Sequence, residues 1–141
     1  MAEHKAASHV IHHLEAHIVW CTKYRYRVLQ GKVAERCREL IRQTCVTNEI
    51  EIVKGNIRAD HIHMLITYPP KLSVSEIMQK IKGRTSRRLQ EEFPELKKRY
   101  WGNHLWATGY FVDSISDISE KVISQYIEQQ KDEENEVFKI T

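Results

Sequence analysis

At 141 residues, 41% of them hydrophobic and 29% charged, the chain is long enough for one domain with a real core, read here as spanning 1–141. No stretch approaches the roughly 20 apolar residues of a membrane span, and the start MAEHKAASHVIHH lacks the apolar region of a secretory signal. Three cysteines, Cys21, Cys37 and Cys45, show no metal-type spacing, which argues against a disulfide framework and for reduced thiols in a cytoplasmic protein.

Leu14 to Thr22 is rich in β-branched and aromatic residues and reads as a strand. From Gly31 to about Asn48, Val33, Cys37, Leu40, Ile41 and Thr44 recur at helical spacing. Glu49 to Arg58 reads as a second strand, joined through Ala59-Asp60 to a third, HIHMLITY, which Pro69-Pro70 ends. Ser73 and Glu76 form a capping box that starts a helix closed by Pro94, with Ile77, Ile81 and Leu89 on its buried side. Leu105 to Val112 reads as a fourth strand. A second capping box, Asp117 with Glu120, opens a last helix from about Ile118 to Asp132. The order β-α-β-β-α-β-α predicts an α+β protein, a ferredoxin-like (RRM-like) βαββαβ antiparallel sheet with helices on one face and an additional C-terminal helix.

The net charge is +3 but uneven: Lys71 to Arg99 holds nine Lys or Arg against four acids. A second basic knot, Lys23 to Arg27, alternates cations with aromatics. Such surfaces suit a phosphate backbone and unstacked bases, although a solvated helix face has the same composition.

Residues two apart on a strand share a face, so His61 and His63 point together, away from Ile62, Met64 and Ile66. An isolated H-x-H is more often a surface pair than a metal grip. Asp60 beside it suits either an orienter of an imidazole or a turn residue. Two ligands are too few for a closed zinc site; an open magnesium or manganese ion that also takes a substrate phosphate fits them better. Tyr126 and Gln130 lie four apart on the last helix, hence on one of its faces. Alone, Tyr126 reads as a packed side chain and Gln130 as solvated. Together with the histidines they make a combination with chemistry in it. A phenol is a weak nucleophile near neutral pH, and a cation on the phosphate, ligated in part by the Gln130 amide oxygen, would spread the developing charge.

These motifs resemble the HUH-endonuclease transposases with a single tyrosine, the TnpA enzymes of the bacterial and archaeal 200/605 insertion-sequence group. The resemblance runs through His17-Ile-Val-Trp-Cys-Thr-Lys-Tyr-Arg25, Asp60-His-Ile-His-Met-Leu65, Lys82-Gly-Arg-Thr-Ser-Arg-Arg88, Leu105 to Val112, and Ser119 to Tyr126 with Gln130. It implies a DNA strand transferase in which Tyr126 attacks a phosphate and keeps the 5′ end as phosphotyrosine, while His61, His63 and Gln130 hold Mg²⁺ or Mn²⁺. It also implies a homodimer with shared active sites, acting on single-stranded DNA with hairpins at element ends. Lys23, Tyr24, Arg25, Arg84, Ser86 and Arg87 fall in the segments expected to touch DNA. Three rival readings stand beside it: a host-adopted relative that processes repeated palindromes, a non-catalytic nucleic-acid-binding module of the same fold, and a hydrolytic metalloenzyme with Tyr126 structural.

Overall fold

A computed structural model describes residues 5–7, 10–12, 14–113 and 125–128. Its centre is a four-stranded antiparallel sheet built from β3 (Leu14–Cys21), β4 (Glu51–Ile57), β5 (His61–Tyr68) and β6 (Phe111–Asp113), in the order β4-β5-β3-β6. Two short strands precede it, β1 (Lys5–Ala7) and β2 (Val10–His12), paired with each other in a separate two-stranded sheet. Helices α1 (Gly31–Thr47) and α2 (Val74–Glu92) make the crossovers β3-α1-β4 and β5-α2-β6. This is the split βαβ arrangement that the order of elements predicts.

The strand alternation decides which side each residue serves. Ala16, Ile18 and Trp20 on β3 stand beside Ile66, Met64 and Ile62 on β5. All six are buried in one apolar cluster with Cys37, Leu40 and Ile41 of α1 and Ile77, Ile81 and Leu89 of α2. The intervening residues His17, Val19 and Cys21 pair with Leu65, His63 and His61, and so occupy the opposite face. Burial pushes the Cys37 thiol up to about 12 and the Cys45 thiol to about 11, so both act as small apolar core residues rather than nucleophiles.

Helix α2 begins at the Ser73–Glu76 capping box, with both reciprocal bonds formed. Pro94 does more than close α2. It sits in the first turn of a further short helix, α3 (Pro94–Arg99), where its missing N–H has no partner to lose.

The stretch Leu105 to Val112 departs from the strand expected there. Only Phe111–Asp113 joins the sheet, with a single bridge between Thr22 and Trp106 before it. Two features explain the loss. Gly109 sits at φ +84, a conformation that leaves the extended ladder. The carbonyls of Ala107 and Gly109 accept hydrogen bonds from Lys82 Nζ, both at 2.9 Å, in place of strand partners. Trp106 turns into the core, where its indole N–H donates to Thr85 Oγ1 at 2.9 Å. The capping box at Asp117 and most of the last helix lie outside the described residues; within them, 125–128 are helical.

Candidate active site

His61 and His63 lie on β5, on the face of the sheet opposite α1 and α2. His61 carries an orienting partner: its Nδ1 lies 2.9 Å from Asp60 Oδ1. An ionised carboxylate only accepts, so Nδ1 bears a proton, and in the neutral ring Nε2 is the lone-pair nitrogen. The other Asp60 oxygen accepts from Arg25 Nε at 3.0 Å and from Nη2 at 2.6 Å. Burial works to raise the Asp60 pKa, but the hydrogen bonds from His61 and Arg25 outweigh it and hold the carboxyl below its ordinary range. Asp60 also sits in the tight link between β4 and β5, which the Arg58 N–H closes by donating to the His61 carbonyl at 2.8 Å. The two roles that the sequence leaves open for Asp60 thus coexist.

The tyrosine-bearing segment lies on this same face. Ile127 is buried against Val19, Cys21 and Ala107, with Tyr126 and Phe111 packed on that small cluster. The Tyr126 and Phe111 rings are 5.5 Å apart. Arg25 fixes the backbone of the segment: its Nη1 donates to the Ile127 carbonyl at 3.0 Å. One guanidinium therefore links the residue after Tyr126 to the carboxylate that orients His61. Gln130, the third expected ion ligand, lies outside the described residues.

Two features of the face were not singled out from the sequence. His17, largely buried, stands on β3 with its ring centroid 4.9 Å from that of His63. Its odd-numbered position alongside Val19 and Cys21 is a signal, but which residues face His63 depends on a register that one sequence does not print. The second is the structural use of Arg25, which is invisible until Asp60 and Ile127 are brought together from positions far apart in the chain.

The residues expected at DNA divide in two. Lys23 and Tyr24 lie on the short turn Lys23–Arg25, Tyr24 partly exposed at φ +62 and the Lys23 ammonium 5.6 Å from its ring. A non-glycine in the left-handed region stores strain, which is common where a side chain must be aimed. Arg25, also at φ +55, turns its guanidinium inward to Asp60 and Ile127. On α2, Arg84 and Arg87 line a groove against α1 with Gln43, Lys80 and Gly83, and Arg84 Nη2 bonds Gln43 Oε1 at 2.9 Å. Ser86 is used within the protein, its Oγ accepting from the Leu105 N–H at 3.2 Å and from Gln90 Nε2 at 3.1 Å. The α1/α2 groove lies on the helix side of the sheet and the histidines on the other. No group of three or more His, Cys, Asp or Glu able to hold a metal occurs among the described residues, and none of their helices is long and apolar enough to cross a membrane.

Comparison with known proteins finds relatives over most of the chain. The family profile described as transposase, IS200 like, matches residues 10–130. The ISDra2 transposase TnpA of Deinococcus radiodurans is 33% identical over 132 residues, 94% of this chain and 94% of that protein. The transposase for insertion sequence element IS200 of Salmonella typhimurium is 35% identical over 134 residues, 95% of this chain and 88% of that protein. A solved structure described as a transposase of Deinococcus radiodurans, 33% identical, superposes with a TM-score of 0.81 over 89% of this chain and 97% of its own. A REP-associated tyrosine transposase solved with a REP hairpin shares the fold at 16% identity, with a TM-score of 0.58 over 89% of this chain and 68% of its own. The profile match over most of the chain and the two relatives near one-third identity place this protein in the IS200-like tyrosine transposase family, whose members are DNA-cleaving enzymes.

Proposed function

We propose that the chain cleaves and rejoins single-stranded DNA at insertion-sequence ends, recognising hairpins there, with Tyr126 as nucleophile. The observation that carries the reading is the shared face: His61, held by Asp60, and His63 stand on the side of the sheet where Tyr126 is packed. The Tyr126 hydroxyl loses its proton as its oxygen attacks phosphorus, the bond to the 3′ oxygen breaks, and the leaving oxygen takes a proton to become a 3′ hydroxyl. The 5′ side stays on the protein as a phosphotyrosine ester. A different 3′ hydroxyl reverses the step and releases the tyrosine.

The residues present fit a divalent ion. His61, with its proton held on Nδ1 by Asp60, and His63 offer imidazole nitrogen, and two imidazoles leave open positions of the kind that Mg²⁺ or Mn²⁺ fills with oxygen ligands. Gln130 would add an amide oxygen. When bound, the ion supplies positive charge against the scissile phosphate. Within the chain, Asp60 fixes the His61 tautomer, and Arg25 holds both Asp60 and the backbone beside the nucleophile. We therefore assign Arg25 to positioning, and DNA contact to Lys23, Tyr24, Arg84 and Arg87, with Ser86 supporting the loop at Leu105.

A homodimer belongs to this proposal. The bond from Arg25 to the Ile127 carbonyl of the same chain supports a seating in which Tyr126 serves its own chain, the alternative to the shared sites that the resemblance implies. Greater similarity to the IS200 and ISDra2 proteins than to the REP-associated structure favours element ends over repeated palindromes as the substrate. The test is nicking of labelled single-stranded DNA carrying an end hairpin. Cleavage should need Mg²⁺ or Mn²⁺ and disappear in His61→Ala, His63→Ala and Tyr126→Phe, with hairpin binding retained. Full cleavage in excess chelator, or by Tyr126→Phe, would overturn the proposal.

A further inference from the structure

Helix α3 ends in a Schellman motif. The Gly102 N–H donates to the Lys97 carbonyl at 2.8 Å and the Trp101 N–H to the Lys98 carbonyl at 3.3 Å, the paired bonds that define this helix stop. The position between helix and glycine needs a left-handed backbone and is ordinarily glycine or asparagine. Here it is Trp101, at φ +58. Its side chain is also 89% exposed, whereas Trp20 and Trp106 are buried at 0% and 4%. A large indole thus stands in water, on a backbone conformation that it disfavours. Neither packing nor turn geometry accounts for it.

The turn is held firmly around this residue. Tyr100, buried, packs with its ring 5.5 Å from that of Tyr26 and tilted 45° to it, and the Asn103 carbonyl accepts from Gln90 Nε2 at 2.6 Å. The Lys23 N–H donates to the Leu105 carbonyl at 2.8 Å, so the turn is tied to the Lys23–Arg25 segment. Cations crowd it: Lys97, Lys98 and Arg99 close α3, with the Arg99 guanidinium 4.0 Å over the Tyr26 ring. The next residues, Gly102, Asn103 and His104, line a groove shared with Arg87 and Lys97, with Glu91 as its acid.

We propose that Trp101 is a stacking platform for an unpaired nucleobase of the DNA, its phosphates running along Lys97, Arg99 and Arg87. An exposed indole that follows a run of cations in the chain suits a ligand with flat apolar faces and a regularly charged backbone, which describes single-stranded nucleic acid. The assignment rests on the reading of the chain as a DNA transposase and gives that substrate a contact away from His61, His63 and Tyr126.

The experiment uses the full chain carrying Tyr126→Phe, so that binding is read without chemistry. Its probes are an end hairpin with a single-stranded flank and a blunt duplex of equal length. Trp101 is the water-exposed tryptophan, so saturating flanked hairpin should quench the long-wavelength indole emission while the duplex leaves it nearly unchanged. Added Trp101→Ala should lower affinity for the flanked hairpin by roughly tenfold or more and leave duplex affinity within about twofold. Added Trp101→Phe should regain part of the loss, and added Trp101→Gly should melt at the same or a higher temperature because glycine suits φ +58. Unchanged emission at saturation, equal affinities of the Trp101→Ala and parent proteins, or a clear destabilisation by Trp101→Gly would each overturn the platform. A parent protein that binds neither DNA would overturn both the platform and the transposase reading. Quenching and a Trp101→Ala loss in a protein whose native form makes no covalent adduct would support the platform and remove the proposed chemistry alone.

Discussion

The two faces of the sheet are built from alternate residues of the same two strands, yet they do different work. On one, Ile18, Trp20, Ile62, Met64 and Ile66 are buried under α1 and α2, and their role is spent on packing. On the other, His17, His61 and His63 stand among Val19, Cys21 and Phe111, under the short segment that carries Tyr126. A period of two in the sequence is enough to separate the packed face from the face that carries the proposed chemistry: shifting β5 by one residue would bury the imidazoles and expose Ile62 and Met64.

The largest expected effect comes from substituting neighbours across that divide. Ile62→Ala on the helix side should cost about 2 to 5 kcal/mol of stability, measured by denaturant unfolding, with nicking per folded molecule unchanged. His63→Ala on the other side should abolish nicking in the same assay. If both substitutions proved equally damaging to folding and equally harmless to chemistry, the division of labour would be gone.

Next in size are the residues that hold the chemical face in order. Asp60→Asn keeps the shape but weakens the bond to His61 Nδ1, and should lower Mn²⁺ affinity or nicking by roughly 10- to 100-fold, the usual effect of losing a ligand's orienting partner. Calorimetric titration with Mn²⁺ reads it without turnover. Arg25→Lys keeps the charge but loses the fork that reaches Asp60 and the Ile127 carbonyl together. Nicking at saturating DNA should fall while hairpin affinity stays within about twofold. The reverse pattern, weak binding with normal turnover, would return Arg25 to the DNA-contact role that the sequence first suggests.

How much of this division can be read in advance follows from range. The strands Leu14–Cys21, Glu51–Ile57 and His61–Tyr68, α1 and the start of α2 rest on local signals, alternation, helical spacing and the Ser73–Glu76 box, and stand in the structure near where those signals put them. The largest departure is tertiary. Leu105 to Tyr110 has the composition of a strand, but Lys82 takes its carbonyls and Gly109 turns it away. The short helix after Pro94 was missed because proline, read as a stop, also suits a first turn. At the site, His61 and His63 announce themselves by spacing, whereas the Arg25 link joins residues 35 and 102 positions apart and has no local signature.

Two smaller effects sharpen the comparison further. Thr85→Val on the helix side leaves the buried Trp106 indole N–H without its acceptor and should cost about 1 to 3 kcal/mol, seen as a lower midpoint of unfolding, with nicking intact at temperatures where the protein stays folded. On the chemical side, mixing Tyr126→Phe with a His61→Ala/His63→Ala protein tests the same-chain seating of the tyrosine. With subunit exchange confirmed, the seating predicts no recovery of nicking, and recovery would establish sites shared between subunits.

The claim at the centre is that the chemical face works through Tyr126, and mapping the covalent adduct tests it most directly. The native protein, incubated with Mg²⁺ and single-stranded DNA bearing an end hairpin, would be digested with nuclease and protease and its peptides weighed by mass spectrometry. A 5′-nucleotide mass on the peptide containing Tyr126, absent from the His61→Ala protein, is the predicted result. A nucleotide on Tyr24 or any other residue, or nicked DNA with no protein adduct at all, would contradict the account.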